Sequence, residues 1–263
     1  MKTDLVRVDQ IEMEYFSFGS GEKTFVILPG LSVKSIMLSA KQIQAGYRAF
    51  EKDYTVYVFD PRRNMPRDYS IRQLGDDTAR VMQALGLHDV YLFGASKGGM
   101  VAMSIAIDHP DLVKKLVLGS TAAKADETII SGMDRWIGFA ENNDMVGLTG
   151  DFLDRLFSED TIGKYKDILV HMNDGVSDQE IERFIIQAKA LKQFDVYDEL
   201  DKIRCQTLVI GTRGDKVLPC ERSEEIAEKI GCELYLYGEE YGHCVFDEAP
   251  DYKERMINFF EKP

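Results

Sequence analysis

VYLFGASKGGM, Val90 to Met100, puts a serine at the tip of what reads as a buried strand. Val90, Tyr91, Leu92 and Phe93 form a continuous apolar, β-prone run, the pattern of a strand covered on both faces. Glycines stand two residues before and two residues after Ser96, and an apolar helical pattern begins at Met100. A sharp strand-to-helix turn leaves no room for a Cβ at its flanking positions, so Gly94 and Gly98 read as steric requirements. Such a turn lifts the hydroxyl above the sheet and sets it at a helix N-terminus. Free N–H groups and partial positive charge there suit a developing oxyanion.

Working outward, the same alternation recurs. Upstream, DLVRVD and EMEYFSFG predict a hairpin, and TFVILPG (Thr24–Gly30) predicts a buried strand closed by Pro and Gly. A helical stretch near Lys41–Phe50 precedes another buried strand, YTVYVFD (Tyr54–Asp60). In YSIRQLGDDTARVMQALGL, Ile71, Leu74, Val81 and Leu85 fall at helical spacing, with Gly86 as the stop. Downstream, GGMVAMSIAIDHP predicts a helix ended by Pro110, and VKKLVLGS (Val113–Ser120) a further strand. Strands alternating with helices imply an α/β fold with a mostly parallel central sheet and helices on both faces. Ligands bind such sheets outside the carboxyl ends of the strands, where Ser96 falls.

From about Ala125 to Leu200 the rhythm breaks into helical patterns without a convincing strand, too long a stretch for a loop. The expected organisation is therefore a core of residues 1–124 and 201–263 with an inserted helical cap over 125–200. Alternation resumes with QTLVIGTRGD, CERSEEIAEKIG, CELYLYG and a last helix, PDYKERMINFFEK.

Composition sets the outer limits. Among 263 residues, 44% hydrophobic and 10% aromatic content suffices for a full core. A formal net charge of -13 argues against a nucleic-acid partner. No signal-like start and no apolar run of about 18–20 residues is present, so no membrane association and a cytoplasmic location are expected. Cys205, Cys220, Cys232 and Cys244 have no CxxC spacing, which disfavours a zinc site and suits a reducing compartment, with pairing left open.

A serine hydroxyl needs a base to take its proton as it attacks. Of four histidines, His88 and His109 read as surface or capping residues, and His171 falls inside the helical stretch. His243 follows the last strand in EEYGHCVFDEAP, in a loop at the same sheet edge as Ser96. An acid must hold the imidazole in its working tautomer, and Asp215 in VIGTRGDKVLP directly follows a strand. The chain order Ser96, Asp215, His243 is that of the hydrolase triads built on such sheets.

With these segments in view, the chain resembles the α/β-hydrolase superfamily over nearly its full length. The resemblance is carried by the block from VYVFDPRRN to VKKLVLGS, by GTRGDKVLP and by GHCVFDEAPD. It implies Ser96 as nucleophile, His243 as general base and then acid, and Asp215 as the orienting carboxylate. It also implies an oxyanion hole from the backbone N–H groups of Lys97 and Leu31, and a cap over the pocket. The chain departs from many members by having Pro29-Gly30 in place of His-Gly, and Lys97 in place of an apolar residue after the nucleophile.

Two readings of the Lys97 side chain stand open: it snorkels away or pairs with a carboxylate, or it reaches the pocket and favours an acidic substrate. Arg62 and Arg63 are either plain surface residues or part of the same cationic rim. Met133, Trp136, Phe139, Met145, Phe152, Leu156 and Phe157 are expected to pack as the core of the cap, a few of them meeting the ligand. The expected activity is hydrolysis of a small-molecule carboxylic ester or related acyl compound by a serine hydrolase, without metal or organic cofactor. Lactone or C–C bond hydrolysis is the alternative chemistry, and a catalytically weak ligand-binding protein the alternative of another class. Oligomeric state, a homodimer included, is not settled by these patterns.

Overall fold

The computed structural model describes residues 2–263. Eight strands form one sheet: β1 (Asp4–Val8), β2 (Ile11–Gly19), β3 (Lys23–Leu28), β4 (Tyr54–Phe59), β5 (Val90–Ala95), β6 (Val113–Gly119), β7 (Gln206–Thr212) and β8 (Glu233–Tyr237). Their spatial order is β1-β2-β4-β3-β5-β6-β7-β8. β2 pairs antiparallel with both β1 and β4, and every other pairing is parallel. The expected α/β fold with a mostly parallel sheet is the observed one.

Continuous apolar runs follow from double coverage. Along β5, Val90 and Leu92 join one core cluster while Tyr91 and Phe93 join the other. Along β3, Val26 and Leu28 divide from Phe25 and Ile27 in the same way. One face is covered by α2 (Ile71–Ala84), α3 (Lys97–Asp108) and α8 (Glu221–Ile230), the other by α1 (Ala40–Gly46) and α10 (Tyr252–Phe260). α2 starts with a capping box of Ser70 and Gln73 and is followed by Gly86 at φ 73°, the left-handed position that favours glycine. α1 is shorter than the sequence pattern suggests: it ends at Gly46, and Arg48–Phe50 form a separate 3₁₀ turn.

Four helices lie between β6 and β7: α4 (Glu127–Glu141), α5 (Met145–Leu156), α6 (Glu159–Leu169) and α7 (Asp178–Leu191). The two chain crossings at their base pair with each other, Ala125 N–H to Phe194 O at 2.7 Å and Val196 N–H to Ala123 O at 2.9 Å. Inside this segment Trp136 packs edge-on against Phe152 with ring centroids 4.7 Å apart. A short helix, α9 (Val245–Glu248), follows His243. All four cysteines are free thiols. Among the described residues no helix is long and apolar enough to cross a membrane, and no cluster of metal-ligating side chains is found.

Candidate active site

The turn after β5 is built as its glycines require. Ser96 sits at φ 53° and ψ -121°, a conformation rarely tolerated outside glycine, held because α3 starts at once behind it. A Cβ on Gly98 would lie 1.9 Å from Leu28 O, and one on Gly94 would lie 2.2 Å from Gly98 O. Strand, turn and helix are therefore in backbone contact, and only glycine fits at either position. The Thr121 hydroxyl donates to Ser96 O at 2.8 Å, and Ser96 N–H to Gly119 O at 2.9 Å, which pins the turn to the end of β6.

His243 and Asp215 come from loops after β8 and β7. Their side chains are 3% and 1% exposed, and His243 Nδ1 lies 2.7 Å from Asp215 Oδ2. The other carboxylate oxygen, Oδ1, accepts from Val217 and Leu218 N–H, each at 2.8 Å. A carboxylate anchored in this way keeps the imidazole proton on Nδ1 and leaves Nε2 with a free lone pair. The His243 loop is tied to the helical segment by Glu248, which accepts from Gly242 N–H at 2.6 Å and from Ser158 N–H at 2.7 Å. A Cβ on Gly242 would meet the Phe157 carbonyl carbon at 2.7 Å, so glycine allows that close approach.

Ser96 and His243 face one cavity of about 590 Å³. No hydrogen bond joins their side chains across it. Gly30 forms part of its wall, close enough that a Cβ there would stand 3.4 Å from Ser96 Cβ. The N–H groups of Leu31 and Lys97 find no acceptor among the described residues. Cys244 also lines the cavity, and burial pushes its thiol well above the ordinary range, so it stays protonated and a poor nucleophile. The walls are otherwise mostly apolar, with Lys34 and Asp247 their charged side chains.

The helical segment meets the cavity with Trp136, Phe152, Leu156, Phe157, Leu169 and Met172, and with one polar side chain, Asn173. Four of the seven cap residues expected from sequence are therefore at the wall; Met133 is buried in the core, and Phe139 and Met145 pack beside it. Leu169, Met172 and Asn173 are not among those seven: IGKYKDILVHMN reads as helix throughout, whereas α6 ends at Leu169 and the turn after it carries Met172 and Asn173. The segment from Ser32 to Tyr47, a loop and turn leading into α1, is likewise absent from that expectation and supplies Val33, Ile36, Leu38 and Ile43 to the cavity wall. Its Ile36–Ser39 turn has no periodicity to announce it.

Neither sequence reading of Lys97 holds. Its side chain is 3% exposed, away from the cavity, and Nζ donates to the neutral Gln187 Oε1 of α7 at 2.7 Å. Burial pushes its pKa down to about 8, opposed by Asp60 and reinforced by Arg183. Arg62 and Arg63 build no cationic rim: Arg62 pairs with Asp77 at 2.9 Å and Arg63 with Glu14 at 3.1 Å, both outside the cavity. His88, His109 and His171 pair with surface aspartates, Asp89, Asp76 and Asp174.

A sequence profile of the alpha/beta hydrolase fold matches residues 23–250. The chain belongs to the alpha/beta hydrolase family. Among relatives, a Caulobacter sp. (strain K31) protein provisionally named carbamate hydrolase RutD is 26% identical over 251 residues, 91% of each chain. The serine hydrolase BPHL of Mus musculus is 26% identical over 273 residues, 97% of this chain and 85% of that one. In three dimensions the esterase EaEST of Exiguobacterium antarcticum superposes with a TM-score of 0.81 at 25% identity, covering 97% of both chains. This hydrolase thus shares fold and length with proteins named for cleaving different acyl bonds.

Proposed function

We propose that the protein is a serine hydrolase acting on an uncharged carboxylic ester or a closely related acyl compound. The observation that carries this reading is the buried His243–Asp215 hydrogen bond at the wall of a cavity that also holds Ser96 on a strained strand-to-helix turn. Ser96 Oγ attacks the carbonyl carbon as His243 Nε2 takes its proton. The tetrahedral oxyanion is held by Leu31 and Lys97 N–H, two donors that the fold leaves without acceptors. His243 then protonates the leaving oxygen as the C–O bond breaks, giving an acyl-Ser96 and a free alcohol. Water, deprotonated by His243, attacks the acyl carbon, and the proton returns to Ser96 Oγ as the acid departs. No step calls for a metal or an organic group.

The lining argues for an uncharged substrate. Lys97, Arg62 and Arg63 are engaged elsewhere, and Lys34 is the one lysine or arginine at a mostly apolar wall that also carries Asp247. The relative named for carbamate cleavage favours a second reading, in which the leaving group or acyl part carries nitrogen; the same attack and proton transfers apply.

The test is labelling with a fluorophosphonate probe, followed by a panel of p-nitrophenyl esters of rising chain length, with a lactone, a diketone and a carbamate included. Labelling lost on boiling and in Ser96→Ala, with turnover of at least one uncharged ester, is the expected result. Full turnover by Ser96→Ala would end the proposal, and absent labelling would favour a ligand-binding protein.

A further inference from the structure

The helical segment's contribution to the cavity is apolar except at Asn173, and even the Trp136 indole N–H is spent on Asp151 Oδ2 at 2.8 Å. A polar amide, 6% exposed, in such a wall must justify its desolvation. Half of it is accounted for. Asn173 Nδ2 donates to Thr149 Oγ1 at 3.0 Å, and the Thr149 hydroxyl donates to Met145 O at 2.7 Å. Because that hydroxyl has a single proton and it is used on Met145, Thr149 can only accept from Asn173. The amide orientation is thereby determined by chemistry: the nitrogen faces Thr149, and Oδ1 faces away from it.

Oδ1 accepts no hydrogen bond from any described residue, yet it is not among the buried atoms sealed off without a partner. With the residue almost fully covered, the opening that remains to it is the cavity it lines. We propose that Asn173 is a specificity residue whose Oδ1 accepts a hydrogen bond from an N–H or O–H on an otherwise apolar substrate. This inference deepens the hydrolase reading and rests on its view that the cavity is the substrate site. The substrate class becomes narrower: an uncharged acyl compound with an apolar body and one donor group besides the reacting carbonyl. A plain hydrocarbon chain reaching the same wall leaves Oδ1 desolvated and unpaired. A hydroxyl- or amide-bearing chain satisfies it, which is how a site discriminates strongly between near-isosteres.

The test separates binding from turnover. Ser96→Ala protein is titrated calorimetrically with aliphatic methyl ketones of roughly six to ten carbons, each compared with its ω-hydroxy counterpart. The expected result is that at one chain length the hydroxy ketone binds about five- to tenfold tighter relative to neighbouring lengths. Asn173→Leu, close in volume, should abolish that preference. Thr149→Val, which frees the amide to rotate, should weaken it, and unchanged melting temperatures show that both variants fold. In parallel, unmodified protein is assayed on p-nitrophenyl esters. A binding preference without ester turnover leaves the Asn173 inference standing and the hydrolase reading fallen. Turnover without any preference, or the same preference in Asn173→Leu, overturns the role of Asn173 and leaves the hydrolase reading intact.

Discussion

Replacing Lys97 with methionine keeps the volume and removes a buried ammonium, and the structure sets the size of the effect. The Lys97 side chain is 3% exposed and its pKa is lowered from 10.5 to about 8, chiefly by loss of hydration. At about 1.4 kcal/mol per pH unit, holding this group charged in the fold costs about 3 kcal/mol at neutral pH. Below pH 8 the folded and unfolded chains both carry the proton and the cost is constant. Between about 8 and 10.5 the folded protein has released its proton while the unfolded chain still holds one, so stability rises with pH. By about pH 9.5 some 2 kcal/mol of the cost is recovered. Methionine has no such term, but it strands Gln187 Oε1, at about 1–2 kcal/mol. Lys97→Met is therefore expected to be more stable than the natural chain by about 1–2 kcal/mol near neutrality. That advantage should shrink by about 2 kcal/mol on going to pH 9.5. Urea unfolding of both proteins at the two pH values reads the double difference, in which all other titrations cancel. A difference independent of pH would refute the buried, charged lysine.

Other sites give sharper losses. Ser96→Ala should remove fluorophosphonate labelling and turnover while leaving the melting temperature within a few degrees, since the hydroxyl forms no structural hydrogen bond. Asp215→Asn should lower kcat by about 10³–10⁴ on any accepted ester, because an amide no longer favours the proton on His243 Nδ1. An effect below tenfold would assign the orienting role elsewhere. Gly98→Ala places a methyl 1.9 Å from Leu28 O and should cost upwards of about 3 kcal/mol, seen as a lowered urea midpoint. Arg183→Met removes the 2.9 Å partner of Asp60, a carboxylate 3% exposed that would keep only the Ile36 N–H. A loss of about 3–5 kcal/mol in the same measurement is expected, whereas a neutral outcome would mean the carboxylate reaches water.

What could be read from the chain, and what could not, divides along a physical line. Properties set by neighbours in sequence were legible. The β5 run from Val90 is apolar because both its faces are covered, and Gly94 and Gly98 are glycines because backbone lies within van der Waals reach. The strand ends that carry Asp215 and His243 follow from the same alternation, so their meeting at one sheet edge was foreseeable. Properties set by distant partners were not. Lys97 could be buried only because Gln187, ninety residues away, offers an oxygen, and nothing near either residue marks the pair. Arg62 and Arg63 read either as plain surface residues or as a cationic rim until Asp77 and Glu14 arrive from other elements to neutralise them. The same holds for Asn173, the end of a helical stretch by its neighbours and a cavity residue by the position of α5. Chemistry in such a fold is thus announced by local backbone constraint, while selectivity is assembled from contacts between segments. That is why a chain can be assigned to the hydrolases from the segments around Ser96, Asp215 and His243 and still need its helical segment in place before its substrate can be argued.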